Sequence, residues 1–172
     1  MPVSVRLLAL TLALSGLPFT IGAQSAASAP PPGAMARPQA GDTAAVIATI
    51  GALFAAAERN DLVALDTMYA GERLTIVEGA GINRGWADYR DHHLAPEMKE
   101  MKNFRYRPFE IEAWVAGDLA WAMYRYSLTA DMNGRAVDVV GRGTAILERQ
   151  GTRWIVRHTQ TASRARRPTD PR

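Results

Sequence analysis

The 172-residue sequence contains no cysteine, which excludes a disulfide framework, a thiol nucleophile and a thiolate metal site together. Whatever holds the fold must come from apolar packing. Aromatic residues are sparse, at 8%. No glycine-rich phosphate loop, nucleophile elbow or Walker motif occurs, so nucleotide-dependent and serine-hydrolase chemistries lack their backbone signatures. No cofactor is expected for the same reason.

The ends of the chain differ in composition from the middle. Residues 1–29 read as a secretory signal peptide, with Arg6 in the basic segment, Leu7 to Leu14 as the apolar run and small residues from Ala23 to Ala29. That run is shorter than the roughly 20 residues needed to span a bilayer, so no membrane segment is expected after cleavage, and the mature protein is expected in the periplasm or secreted. Residues 30–41, rich in proline, glycine and small side chains, read as a flexible linker. One domain then fills 42–163, and 164–172 is expected as a disordered basic tail.

The sequence pI near 9.6 invites a nucleic-acid partner. The positions of the charges argue against one. Six of the 20 Lys and Arg residues and one of the 17 Asp and Glu residues lie outside the domain, leaving 14 against 16 within it, near neutrality. The basic excess belongs to the ends.

Within the domain, Val46, Ile47, Ile50, Leu53, Phe54 and Ala57 recur at helical spacing over Thr43 to Arg59, with Asp42 as the expected N-cap. A shorter helix is expected from Asp61 to Tyr69. A strand-like run, Leu74 to Glu78, leads into glycines at 79, 81 and 85, which indicate a tight reversal. The segment GWADYRDHHLAPEMKEMK is helical in pattern, with a kink or stop near Leu94 because Pro96 lacks an N–H and crowds the preceding turn. Four β runs come next, over 104–115, 119–130, 136–148 and 153–163, joined by Ala116-Gly117-Asp118, Asn133-Gly134 and Gln150-Gly151. This order predicts an α+β fold with helices on one face of a curved antiparallel sheet.

The helix pair, the strand ending in Glu78-Gly79, the segment NRGWADYRDHHLAPEM and the ending GTAILERQGTRWIVRHTQTAS resemble the SnoaL-like or DUF4440 branch of the NTF2-like superfamily, over residues 42–163. The resemblance implies an NTF2-like (cystatin-like) cone whose sheet encloses a pocket, and dimerisation through the sheet's outer face. Relatives include ketosteroid-isomerase-like enzymes, polyketide cyclases, dehydratases, ligand-binding modules and protein-binding domains, so it implies no single activity. Gln160 stands where relatives often carry a second histidine.

Strand alternation puts Trp154, Val156, His158 and Gln160 on one face, expected to be the pocket side, with His158 as a candidate acid, base or ligand. On the third helix Tyr89, His93 and Glu97 are spaced by four, which aligns phenol, imidazole and carboxylate; His93 is the expected inward histidine rather than His92. Glu78 is expected at the pocket mouth and Trp121 in its wall. Asp138 and Arg142, with Arg125 across from them, are expected as a charge pair on the outer face. His93, His158 and Glu97 form a conceivable metal-ligand set, but without local ligand spacing, and no metal is assigned.

The expected function is therefore an exported pocket protein that binds a small, largely apolar organic molecule, as a homodimer, with acid–base chemistry of isomerase, cyclase or dehydratase type at His158 and His93. A non-catalytic dimeric interaction module and a periplasmic metal binder are the alternatives.

Overall fold

Helix α1 (Ala40–Glu58) arises from its apolar stripe. Val46, Ile50, Phe54 and Ala57 are buried along one side, because residues three and four apart share a face and must cover the sheet. Composition alone, a mean hydropathy of 1.3 over Gly41–Glu58, would also suit a membrane span; here the stripe packs on β-structure instead. The structure is a computed structural model that describes residues 40–171. The expected leader and most of the linker lie outside the described residues. α1 begins earlier than expected, so Asp42 sits inside its first turn and pairs with Arg149 at 2.8 Å instead of serving as N-cap. Helix α2 (Leu62–Asp66) is capped by Asp61, which accepts from the Ala64 amide at 3.0 Å.

The chain then forms β1 (Thr75–Glu78) and β2 (Gly81–Arg84), a short hairpin. Gly85, at φ 86°, turns it into α3 (Trp86–Tyr89). The irregularity expected near Leu94, with a new turn begun at Pro96, is present, although the helical path continues through it. Arg90–Leu94 forms a π turn, in which the Ala95 amide bonds back to the Arg90 carbonyl, and α4 (Ala95–Glu100) starts with proline in its first turn. The widened turn absorbs the register change at the point where the proline has no donor to offer.

Four long strands complete the fold: β3 (Met101–Ala116), β4 (Leu119–Met132), β5 (Arg135–Gln150) and β6 (Arg153–Ala165). The sheet order is β2-β1-β6-β5-β4-β3, antiparallel throughout except for β1 beside β6. Register shifts in β3, between Lys102 and Arg105 and between Phe109 and Glu112, and in the β5–β6 pairing bend the sheet. α1 lies across the inner face, where Phe54 meets Tyr106 at 4.2 Å and Tyr124 edge-on at 5.3 Å between ring centroids. Gly141 and Gly143 on β5 leave room for the rings of Tyr126 and Tyr124 above them.

The basic C-terminal segment packs back on the sheet over its described residues. β6 runs on to Ala165, Arg166 pairs with Asp138 at 2.6 Å, and Arg164 meets Asp170 at 2.7 Å. Asp138 is thereby used by the tail, while Arg125 pairs with Glu110 at 3.1 Å. The expected Asp138–Arg142–Arg125 grouping does not form: Arg125 and Arg142 are direct cross-strand neighbours on the outer face.

Candidate acid–base site

The parallel pairing of β1 with β6 sets Glu78 beside Thr161 on the inner face, at the open end of the sheet. The α3–α4 segment passes over this end and lowers His93 onto it. A cavity of about 430 Å³ opens there, bounded by Glu78, His93 and Glu97 on one side and by Tyr106, Tyr126 and Leu128 on the other.

His93 Nε2 lies 2.9 Å from Glu78 Oε2 and 3.3 Å from Glu97 Oε1. The Tyr89 hydroxyl donates to Glu78 Oε1 at 3.2 Å, and the Tyr89 and His93 rings pack with centroids 5.0 Å apart. Burial pushes the Glu78 carboxyl above the usual carboxylate range; His93 and the Tyr89 hydrogen bond pull it down in part, and Glu97 pushes it up. Burial likewise drives the Tyr89 phenol well above its ordinary value, so that it stays a donor. A carboxyl displaced upward and touching an imidazole is a pair between which a proton passes at little cost.

The expected spacing of Tyr89, His93 and Glu97 survives the π turn, and His93, not His92, faces inward. Glu78 joins this group directly instead of standing apart at the pocket mouth. Asn83, which meets His93 Nδ1 at 3.2 Å, was missed; its only sequence signal was its place in a glycine-bounded reversal. Tyr106 and Thr161 were missed as well, because each sits on a strand whose inward face depends on bulges, and Tyr126 was missed on β4, whose register is regular.

His158, Gln160 and Trp121 do not reach the cavity. β6 carries one extra residue at Arg157: Leu147 pairs with Val156 but the adjacent Ile146 pairs with His158. The bulge reverses the alternation, so Thr159 and Thr161 point inward while His158 and Gln160 join Ile146 and Thr144 on the outer face. Trp121 is on that face too, 43% exposed and stacked on Trp114. Val156 does point inward, but it is wholly buried in the core beside Met68 and Ala70, away from the cavity wall. With His158 across the sheet from His93 and Glu97, the conceivable two-histidine, one-carboxylate metal set is not assembled. A second hollow of about 420 Å³ on the outer face contains Arg142, Gln160 and the Arg125–Glu110 ion pair, but no histidine.

The SnoaL-like domain family matches residues 46–163, nearly the whole of the domain that carries this site. The chain belongs to the SnoaL-like family. Solved structures of the same fold include a proposed ketosteroid isomerase from Shewanella frigidimarina (23% identity, 70% of this chain and 96% of that one, TM-score 0.62). They also include a proposed dehydratase of the NTF2-like family from Streptomyces avermitilis (16% identity, 70% and 94%, TM-score 0.63). A third is an NTF2-like superfamily protein from Salmonella enterica (15% identity, 72% and 92%, TM-score 0.64). No curated protein matches the chain significantly. At these identities the structural likenesses establish the NTF2-like fold of this SnoaL-like domain and leave its chemistry to its own residues.

Proposed function

We propose that this SnoaL-like protein binds a small, neutral, largely apolar organic molecule and moves a proton on it, with Glu78 as the base and His93 as its proton-sharing partner. The observation that carries this reading is the 2.9 Å contact between Glu78 and His93 at the edge of a cavity. Tyr106, Tyr126 and Leu128 supply apolar surface for such a ligand. Among the described residues no lysine or arginine lines the cavity, so a carboxylate or phosphate on the ligand would face the Glu78 and Glu97 carboxylates with only His93 as a counter-charge. Abstraction of a proton adjacent to a carbonyl fits best. A carboxylate of raised basicity accepts the proton, and the Tyr89 hydrogen bond keeps that carboxylate aimed. The resemblance of the fold to the proposed isomerase and dehydratase is in keeping with this class.

The reading includes export to the periplasm or beyond, for which the N-terminal segment is the support, and a homodimer joined through the outer face of the sheet. The exposed, stacked Trp114 and Trp121 favour that face as an interface. They equally support the rival reading of a non-catalytic interaction module.

Deuterium uptake next to the carbonyl of simple cyclic ketones, monitored by NMR, tests the chemistry. The wild-type protein should accelerate exchange, and Glu78→Gln should reduce it by about 10²–10⁴-fold, the scale of a lost general base. Exchange that is unaffected by Glu78→Gln, or absent for every ketone together with no ligand in native mass spectra, would favour the interaction module.

A further inference from the structure

The two nitrogens of His93 face different surroundings. Nε2 meets the carboxylates of Glu78 on β1 and Glu97 on α4 at 2.9 and 3.3 Å, whereas Nδ1 lies 3.2 Å from Asn83 Oδ1. In a neutral imidazole only one nitrogen bears the proton, and the hydrogen bonds around the ring decide which. An asparagine alone leaves that open, because its amide can present either oxygen or nitrogen.

Asp88 removes the ambiguity. Asn83 Nδ2 donates to Asp88 Oδ2 at 3.0 Å, and the same oxygen accepts the Arg84 amide at 3.2 Å. Those hydrogen bonds, the Asn83 bond foremost, hold the Asp88 carboxyl below its usual range, so it remains an anion that can only accept. With Nδ2 committed to Asp88, the Asn83 oxygen must face His93. An oxygen there requires a proton on Nδ1. The arrangement is built locally: Asn83 pairs with Ile76 in the β1–β2 hairpin, Gly85 turns the chain, and Asp88 stands on the α3 segment that leads to His93.

We propose that Asn83, oriented by Asp88, is a positioning residue that locks His93 as the Nδ1–H tautomer and so makes Nε2 the nitrogen that exchanges a proton with Glu78. The functional part of this inference rests on the proposed role of the Glu78–His93 pair; the tautomer itself does not. One proton is in play. It rests either on Glu78 Oε2 beside a neutral imidazole or on His93 Nε2 beside a carboxylate, and the proton on Nδ1 stays with Asn83 in both states.

Two-bond ¹H–¹⁵N correlation spectra of the ¹⁵N-labelled full chain, in alkaline buffer and without ligand, read the tautomer directly, with His158 as an internal reference on the far face. Wild-type His93 should show a protonated Nδ1 and a bare Nε2. Asn83→Ala should move it toward a mixture containing Nε2–H, and Asp88→Ala, which frees the Asn83 amide to turn, should do the same. The deuterium-exchange rate should fall by about 10–100-fold in Asn83→Ala, the scale seen when a ligand's outer hydrogen-bond partner is lost. A wild-type spectrum with Nε2–H and a bare Nδ1, or an unchanged pattern in Asn83→Ala, overturns the lock, and the wild-type spectrum decides even if the alanine variant fails to fold. A locked tautomer in a protein that exchanges no ketone deuterium would retain the lock and overturn the proposed chemistry instead.

Discussion

Glu78 is subject to opposing forces. Burial disfavours its charge, while His93 and the Tyr89 hydroxyl favour it, and burial prevails. The folded protein therefore holds this proton more tightly than the unfolded chain does. The group's contribution to stability is fully present below the ordinary carboxylate range and is lost as pH rises through the raised folded value. Glu78→Gln keeps the shape of the neutral form and removes that loss. The variant should gain stability relative to wild type between about pH 4, where an ordinary carboxyl is largely protonated, and about pH 8. Denaturant midpoints at the two pH values check this, and an equal difference at both would contradict the assigned cause. The expected sign is the usual conflict at a working site, where a charge needed for chemistry is kept at a cost in stability. His93 was legible at this scale, since four-residue spacing aligns it with Tyr89 and Glu97. Its contact with Glu78 was not, because the two residues meet only after β1 has joined β6 and the helix has crossed above.

At the scale of elements, a bulge and a π turn set which side chains enter the cavity. Period-two alternation along β6 assigned His158 inward, and the extra residue at Arg157 turned it outward. Nothing local marks this bulge, for Arg157 and His158 are both polar and either assignment leaves a plausible face. β5 has the converse requirement, small residues where tyrosine rings cross it. A Cβ at Gly143 would stand 2.6 Å from the Tyr124 ring. That ring is buried and held edge-on by Phe54, so it cannot swing away. Gly143→Ala should destabilise the protein by about 1–3 kcal/mol, the range for overpacking a filled core. Thermal or denaturant unfolding measures it, and a loss below about 0.5 kcal/mol, the scale of ordinary surface changes, would mean the ring is free to move.

Across the whole molecule the two faces of the sheet divide the work. The inner face holds the core and the acid–base site; the outer face leaves Trp114, Trp121, Met123 and Ile146 in solvent. The proposed homodimer would cover this patch with a second copy. Trp121→Glu should convert a dimer to a monomer in sedimentation experiments with the circular dichroism spectrum intact. A wild-type monomer, or an unchanged dimer in the variant, would remove this face from the proposal. The order of the long elements was determined by the sequence itself, through the α1 stripe, the glycine-bearing turns and the long β runs, because each depends on residues close together in the chain, whereas the reversal after Glu78 turned out to hold a further strand, β2. The tertiary structure alone decided that His93, and not His158, meets Glu78. That choice depends on a parallel strand pairing, a bulge and a widened helical turn, whose effects join residues that no local pattern connects.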